Sequence, residues 1–175
     1  EQIDANLITG IYSKIIQPRV AKAHEQKNNR TRDKAEVFTP SWICNAQNNL
    51  VDERWFGRPD VFNVEKNNTW TATERVIFPE DSQHTWKNYV DARRIEVSCG
   101  EAPYLVSRYD TVTGDPIELL SRIGLLDRKL RVVSENAPDE KEWLKWAYRA
   151  YESVYGFEFQ GDNLLLAREN LLYTF

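Results

Sequence analysis

The stretch RIEVSCGEAPYL, residues 94–105, decides the fold because strand chemistry changes to turn chemistry within a few positions. Its β-branched residues Ile95 and Val97 favour a strand. The pair Cys99-Gly100 follows as a turn with a carboxylate on either side, and Pro103 suits the first position of a helix. Three interpretations are open: a cofactor loop, a reactive-cysteine site, and a plain turn between two solvated acids.

The chain that follows predicts a parallel sheet covered by helices. Apolar spacing indicates a helix over 139–156, a short strand over 157–159 and a second helix over 162–175. Together with a strand over 94–99, the order is βαβα, which is typical of an α/β fold. We assign residues from about 110 to 138 to an insertion, because the two strands lie further apart than in a minimal βαβ unit.

Capping residues indicate where these helices begin and end. Asp139 suits the N-cap of the first helix and Gly156 its C-terminal end, while Asp162 suits the N-cap of the second. Residues 104–109 are a further short helix candidate.

Residues 1–90 are expected to form an N-terminal extension of helices and irregular segments, ahead of the α/β domain over 91–175. Within the extension, 40–56 predicts a helix and 57–90 predicts loops and small strands. The basic loop 27–34 is either a solvated connector or a phosphate contact. The helix is expected to bury one apolar face, formed by Trp42, Ile43, Ala46, Leu50 and Val51.

Composition describes an ordinary folded protein without a global basic charge. Of 175 residues, 41% are hydrophobic and 12% are aromatic, and the formal net charge is −4, so electrostatics give no general case for nucleic-acid binding. No apolar run approaches the ~20 residues that span a bilayer, and the first residues lack the pattern of a signal peptide. We therefore expect a cytoplasmic protein with no membrane partner.

The cysteines and histidines do not suggest a metal site. Cys44 and Cys99 lie too far apart for the spacing of metal ligands, as do His24 and His84. Two reduced thiols are the favoured interpretation, and one disulfide is the alternative. Cys99 as a nucleophile would need a base, and neither histidine has a sequence reason to lie near it.

Both ends of the sequence suggest a longer protein. The chain contains no Met, and it ends on the apolar pattern ENLLYTF without a helix stop signal. We therefore expect an excised fragment.

Carboxylates follow both predicted strands, at the ends where parallel sheets bind ligands. Glu96 and Glu101 surround the first turn, and Glu158 ends the second strand with Phe159 beside it. A carboxylate at the second position can bind both hydroxyls of a ribose, and an aromatic ring can pack on adenine. The chain lacks G-x-G-x-x-G, and acids repel phosphate, so a ligand with a cationic end is favoured over a dinucleotide. S-adenosylmethionine has that profile, with an ammonium, a sulfonium, a ribose and an adenine but no phosphate.

Three segments, in the family's order, resemble the N-terminal part of the catalytic domain of adenine-N6-specific DNA methyltransferases from restriction–modification systems. The first, AEVFTPSWICNAQNNLVD, is similar to the family's aromatic-Thr-Pro motif. The resemblance implies that Phe38, Thr39 and Pro40 contact the cofactor near its methionine end.

The second segment, IEVSCGEAPYL, resembles the family's D-P-A-C-G-S-G-x-F-L loop and implies cofactor contacts for the whole turn. Glu96 stands where Asp is usual, and Cys99 and Gly100 match directly. Glu101 and Ala102 replace the small residue and the second Gly. Ala102 still permits a close turn, although a positive φ there carries a cost that glycine avoids.

The third segment, VYGFEFQGDNLLLARENL, is similar to the family's G-x-E-x-x-x-x-x-x-x-A-R-x-N-L pattern. The resemblance gives Glu158 the contact to the ribose and Phe159 the contact to adenine. Ala167, Arg168 and Asn170 also follow in the family's order, with one residue more between Glu158 and Ala167 than the pattern has, and this match is the most specific of the three.

The resemblance implies a partial Rossmann-like S-adenosylmethionine-dependent methyltransferase fold behind an N-terminal extension. It further implies methylation of adenine in DNA, and either a fused or an associated restriction endonuclease. The family's catalytic loop, Asn or Asp followed by Pro-Pro and an aromatic residue, is absent from a sequence in which no two prolines are adjacent. We therefore expect cofactor-binding residues, no catalytic residue, and no methylation by this chain alone.

Two other functions stay open. A non-catalytic module derived from this fold would bind nucleic acid or a protein partner, and the missing catalytic loop favours it. A small-molecule methyltransferase is disfavoured because the Phe-Thr-Pro element resembles DNA-modifying enzymes. The stripe of Trp143, Trp146 and Tyr151 is expected to pack in the core and not to form a base-stacking platform.

Overall fold

The structure is a computed structural model that describes Val20 and residues 38–175. It has a mixed α/β architecture with two small sheets and five α-helices in that part of the chain. The basic loop 27–34 and the residues before it, apart from Val20, lie outside the described residues, so the expectations for them stay predictions. The elements are α1 (Ser41–Phe56), β1 (Asn63–Lys66), β2 (Thr69–Ala72), α2 (Trp86–Asp91), β3 (Arg94–Val97), a 3-10 turn (Leu119–Ser121), α3 (Leu125–Asn136), α4 (Glu140–Glu152), β4 (Val154–Phe157) and α5 (Gly161–Leu172).

Strands β3 and β4 pair in parallel, with Glu96 opposite Gly156 and Val97 opposite Phe157. A parallel pair needs a long crossover connection, and α3 and α4 lie in this one before α5 follows β4. The predicted strand–helix–strand–helix order is present from β3 onward, and α3 is a further helix within the crossover. The stretch 110–138, predicted as an insertion, contains α3, which packs against α2 and α4.

Strands β1 and β2 form an antiparallel hairpin within the region predicted as loops and small strands. Its two-residue turn consists of Asn67 and Asn68, both with positive φ (52° and 60°). Asn tolerates this conformation better than most residues, and positive φ at both positions matches the twist of a hairpin.

The prediction that α1 buries its apolar face is wrong. Leu50 is 60% exposed, and Trp42 and Val51 are also exposed. The helix instead buries a face that is largely polar, because that face supplies partners to polar groups on other elements. The buried residues of α1 are Ser41, Cys44, Asn45, Asn48, Asp52 and Phe56.

Arg128 on α3 is the centre of this buried polar contact and is 1% exposed. Its Nη1 donates to Asp52 Oδ2 at 2.6 Å, and its Nη2 donates to Asn45 Oδ1 at 2.8 Å and to Asn49 Oδ1 at 2.7 Å. The hydroxyl of Tyr89 donates to the other Asp52 oxygen at 2.9 Å. A buried charge is tolerated only when it is paired and hydrogen-bonded, so these contacts fix α1 against α3.

A buried lysine on α3 holds the beginnings of both strands of the parallel pair. Lys129 Nζ donates to the carbonyl of Ala92, just before β3, and to Ser153 Oγ, just before β4, each at 2.5 Å. Ser153 Oγ in turn donates to the carbonyl of Val90 at 2.8 Å. Burial lowers the pKa of Lys129 to about 7. This side chain therefore joins α2, α3 and both strand starts.

Several predicted boundaries differ from the structure. Gly156 does not end α4, because the strand begins already at Val154 and includes it. The predicted strand over 157–159 is thus displaced toward the C-terminus. Helix α5 has Gln160 as its N-cap instead of Asp162.

The segment 104–109 forms turns instead of a helix, and the strand-like piece over 74–78 is irregular. Other local predictions are confirmed. The side chain of Asp139 caps α4 by accepting from the Glu142 N–H at 2.9 Å. Trp143, Trp146 and Tyr151 pack against the hydrophobic core, as the sequence predicts.

Replacement of Arg128 by an uncharged residue is expected to destabilise the fold. Because Arg128→Met leaves the carboxylate of Asp52 buried without its cation, we expect the free energy of unfolding to fall by about 3–5 kcal/mol. Urea denaturation measures the change. Arg93→Met removes an exposed arginine and should change the same quantity by less than about 0.5 kcal/mol. Equal effects of the two substitutions would contradict the role of the network.

Candidate functional site

The loop after β3 has alternating positive φ angles. Ser98, Gly100 and Ala102 have φ values of 56°, 56° and 64°. Ala102 thus adopts the conformation that its missing glycine would make easy, at a cost on the order of 1–2 kcal/mol. Its N–H donates to the carbonyl of Cys99 at 2.7 Å, and its own carbonyl accepts from the N–H of Val106 at 2.9 Å. These bonds close the turn around Gly100.

Glu158 joins the ends of the two parallel strands. Its Oε2 accepts from the N–H of Gly100 at 2.8 Å, and its Oε1 accepts from the N–H of Gln160 at 2.7 Å. The N–H of Cys99 also donates to the carbonyl of Phe157 at 2.9 Å, which extends the strand pairing into the loop. The carboxylate therefore lies directly on the glycine turn, where an anionic ligand would otherwise find an N–H donor.

Glu96 is the second acidic group of the site, and it is held in its neutral form near neutral pH. Burial raises the pKa of Glu96 to about 8, and the Glu158 charge acts in the same direction. Hydrogen bonds from the N–H groups of Tyr104 and Leu105 act in the opposite direction. Oε2 of Glu96 is buried and has no hydrogen-bond partner among the described residues.

Two thiols lie beside the carboxylates, and both are buried and form no disulfide. Burial, followed by the Glu96 charge, raises the pKa of Cys44 to about 12. Burial and the charges of Glu96 and Glu158 raise the pKa of Cys99 to about 12 as well. A thiol of this kind stays protonated and is a poor nucleophile. The pKa values therefore favour Cys99 as a small residue of the turn.

Gly156 lies close to the turn where the two strands end. A Cβ at this position would lie 3.1 Å from Cys99 Sγ and 3.4 Å from Leu105 Cδ1. Both neighbours are buried, so a side chain at this position would require Cys99 to shift by a few tenths of an ångström.

The Phe38-Thr39-Pro40 segment is fixed by a hydrogen-bonded turn from the region after the loop. The carbonyl of Thr39 accepts from Thr111 Oγ1 at 2.9 Å, and Asp110 Oδ2 accepts from the N–H of Ser41 at 2.8 Å. Pro40 is the N-cap of α1 and offers no side-chain acceptor, so Asp110 caps the helix from outside. Burial acts to raise the pKa of Asp110, but hydrogen bonds from backbone N–H groups, including that of Ser41, lower it below its ordinary value.

Tyr104 connects this segment to the carboxylates. Burial and the Cys44 thiol raise the pKa of its hydroxyl to about 12, with Glu96 contributing in the same direction and a hydrogen bond to Thr39 opposing it. The carbonyl of Tyr104 accepts from Asn48 Nδ2 at 3.0 Å, which ties the loop to α1. The structure thus brings Thr39, Glu96, Cys99, Gly100 and Glu158 into one neighbourhood.

Glu101 is turned toward α5. It is buried, and its Oε2 accepts from the hydroxyl of Tyr109 at 2.5 Å. Its carbonyl accepts from Asn170 Nδ2 at 3.0 Å, and the same amide group donates to the Tyr109 hydroxyl at 3.1 Å. These contacts give Glu101 a place in the packing of the loop on α5.

Phe159 lies immediately after Glu158 and is 95% exposed. Its ring is therefore surrounded by solvent in this structure and is accessible to a ligand. The side chains of Glu101 and Phe159 do not join the group formed around Glu96 and Glu158.

Sequence reasoning missed the residues that position the site. Asn48, Tyr104 and Asp110 carry the contacts between α1 and the loop. Asn48 and Tyr104 lie within the first and second segments, but the resemblance gives them no role, and Asp110 lies outside all three segments. Asp110 has a weak local signal, because Asp before a Thr-Gly turn often accepts backbone N–H bonds. Asn170 has a stronger one, since it belongs to the third motif.

Comparisons of this chain with protein-family models, with curated proteins and with solved structures found no significant match. Across the described residues, no helix is long and apolar enough to cross a membrane. The same residues contain no cluster of three or more histidines, cysteines or carboxylates that would hold a metal ion. The function proposed below therefore rests on the geometry of the site and on the order of the motifs.

Loss of the Glu158 carboxylate is expected to release the glycine turn. Glu158→Ala removes the acceptor for two N–H groups, so hydrogen exchange at the Gly100 and Gln160 amides should become about tenfold faster or more. Hydrogen-exchange mass spectrometry or NMR measures this rate. Glu152→Gln, at an exposed carboxylate on α4, should leave both rates unchanged. Unchanged exchange in Glu158→Ala would show that the carboxylate does not hold the turn.

Glu96 gives stability a defined pH dependence. Its folded-state pKa of about 8 lies above the ordinary value of 4.5, so the folded chain binds more protons than the unfolded chain between these values. The free energy of unfolding should therefore fall as pH rises through this window, by at most about 1.4 kcal/mol per pH unit from this group. Chemical denaturation of the wild type and Glu96→Gln across the window measures it. Parallel curves for the two proteins would contradict the shift.

Proposed function

We propose that this chain is the cofactor-binding part of an S-adenosylmethionine-dependent DNA adenine-N6 methyltransferase of a restriction–modification system. One observation carries the proposal: the carboxylate at the end of β4 binds the N–H of the glycine turn after β3. The second and third motifs thereby share one site, at the strand ends where α/β sheets bind ligands. Tyr104 supports the proposal further, because its carbonyl accepts from Asn48 on α1 and so attaches the glycine turn to the helix that follows the first motif.

The charges of the site favour a cationic ligand over a phosphate. The charge of Glu158 adds to the rise in the pKa of Glu96, and Glu158 already occupies the N–H of Gly100. The unpartnered Oε2 of Glu96 is an acceptor to which an ammonium group can donate once the carboxyl ionises. These groups therefore fit the cationic amino-acid end of S-adenosylmethionine.

The other end of the cofactor fits the residues after β4. Each oxygen of Glu158 accepts one backbone N–H and retains a second lone pair for a ribose hydroxyl. Phe159 is exposed beside it and is available to pack on adenine. We assign Thr39, with Phe38 and Pro40, to the methionine end of the site, while Cys99, Gly100, Glu101 and Ala102 shape the turn beneath it.

One face of the parallel pair is apolar and exposed. Ile95 and Val97 on β3 lie opposite Tyr155 and Phe157 on β4, and all four side chains are exposed. Parallel sheets in Rossmann-like folds are normally covered on both faces, so this face fits a protein in which a further element packs on it.

When bound, the cofactor supplies an electrophilic methyl group on a sulfonium. The residues of this chain bind and orient it, and Glu158 and the turn keep the adenosine end fixed. Adenine must leave the duplex to be methylated, and the Pro-Pro loop that would hold the extruded base is absent from this sequence. In the whole protein, DNA would be the partner, a restriction endonuclease would be fused or associated, and the compartment would be the cytoplasm.

A non-catalytic binding module is the second candidate function. The absence of adjacent prolines anywhere in the sequence favours it. The coding sequence beyond Phe175 separates the candidates, because a Pro-Pro-aromatic motif there supports the methyltransferase and a stop codon supports the module.

Calorimetric titration with S-adenosylmethionine tests the proposal on this chain. We expect saturable binding with one molecule per chain, and about tenfold or more weaker binding by Glu158→Ala, because a charge-assisted hydrogen bond is lost. ATP, which carries the same adenosine with phosphates, should bind much more weakly.

The matched control is Glu152→Gln, which removes a carboxylate outside the site and should leave the affinity within about twofold of the wild type. Folded wild-type protein that gives no binding signal, or a Glu158→Ala protein with unchanged affinity, would contradict the proposal.

A further inference from the structure

A cleft of about 500 Å³ lies beyond the glycine turn, in the part of the crossover that precedes α3. Its lining includes Arg108, Tyr109, Ile117, Glu118, Leu119 and Arg122. The walls are held in place by pairing between Tyr109 and Pro116 and by the Ile117 N–H, which donates to the carbonyl of Arg108 at 2.9 Å. Neither Glu96 nor Glu158 lines this cleft, so it is separate from the site described above.

One wall presents a guanidinium that is fixed before any ligand arrives. Nη1 of Arg108 donates to Asn170 Oδ1 at 3.3 Å, and the guanidinium carbon lies 4.7 Å from the centre of the Tyr173 ring. Stacking and one hydrogen bond reduce the rotamer entropy that binding would otherwise cost. Neither the Asn170 amide nor the Tyr173 ring carries a negative charge, so neither group neutralises the positive charge of Arg108.

A second guanidinium lies in the same lining. Nε of Arg122 is buried and has no hydrogen-bond partner among the described residues. Those residues also give neither Arg108 nor Arg122 a carboxylate within ion-pair distance. The Arg122 charge acts on the pKa of Asp127 from beyond ion-pair distance. Oδ2 of Asp127 accepts from the N–H and the hydroxyl of Ser107, and its Oδ1 has no hydrogen-bond partner among the described residues.

We propose that this cleft binds phosphate groups of the DNA backbone through Arg108 and Arg122. A planar guanidinium matches the geometry of phosphate oxygens, and two that share one cleft can bind one or two adjacent phosphates. Ile117 and Leu119 offer an apolar wall to the sugar. The choice of DNA over a free phosphate rests on the function proposed above.

The loop around the cleft suits a large partner. Leu119 and its neighbour Leu120 are both exposed at its edge. Phosphate contacts position a protein on a duplex without reading its sequence, so this cleft would contribute affinity and orientation. Glu118 also lines the cleft, and its exposed carboxylate repels phosphate. Its replacement by a neutral residue therefore tests whether the charge of the cleft governs binding.

Fluorescence-anisotropy titration of the chain with a short labelled DNA duplex tests the proposal. Arg122→Gln should weaken binding by about tenfold, and the slope of log affinity against log salt concentration should become shallower by about 1. Glu118→Gln should tighten binding by about two- to fivefold, without risk to folding because the side chain is exposed. Arg93→Gln, at an exposed arginine before β3, should leave the salt slope unchanged.

Inorganic pyrophosphate added as a competitor separates the sources of phosphate. Displacement of the duplex by pyrophosphate from the wild type, but only weakly from Arg122→Gln, supports the cleft. Pyrophosphate binding without duplex binding would overturn DNA as the ligand. Duplex binding that is unchanged by both Arg122→Gln and Glu118→Gln, or no duplex binding at all, would overturn the proposal that the cleft binds DNA. Calorimetry with S-adenosylmethionine is read separately, so failure here leaves the cofactor result intact.

Discussion

The buried guanidinium of Arg128 is the constraint on which the rest of the structure depends. A charge that is 1% exposed needs a counter-charge and hydrogen-bond partners, and the polar face of α1 provides them through Asp52 and Asn45. This pairing fixes the rotation of α1 about its axis. Asn48, on the same face, then donates to the carbonyls of Tyr104 and Ile123. The helix that begins at the Phe-Thr-Pro segment is thereby attached to the loop after β3.

The site follows from that attachment together with a second buried charge. Lys129, next to Arg128 on α3, binds the residues just before both parallel strands and so places β3 beside β4. Once the strands are side by side, Glu158 reaches the N–H of Gly100 and lies close enough to Glu96 to influence its ionisation. Two consecutive residues of one helix therefore organise both halves of the candidate site.

The sequence predicts the parts of this structure that depend on local patterns. The βα order after residue 94, the cap at Asp139 and the carboxylates at both strand ends follow from spacing and residue type. The orientation of α1 does not, because its polar residues have partners far away in the sequence, and pairing a buried arginine outweighs burial of Leu50. The strand start at Val154 was hidden for a similar reason, since Gly156 lies within β4, close to Cys99, and does not end a helix.

NMR mapping of amide shifts during addition of S-adenosylmethionine tests the central claim most directly, because it locates the ligand without relying on a variant. The claim predicts that the largest shifts occur at Gly100, Tyr104, Leu105 and Gln160, whose N–H groups bind Glu96 and Glu158 or lie in the turn. Shifts confined to other parts of the chain, or no shifts in folded protein, would contradict it.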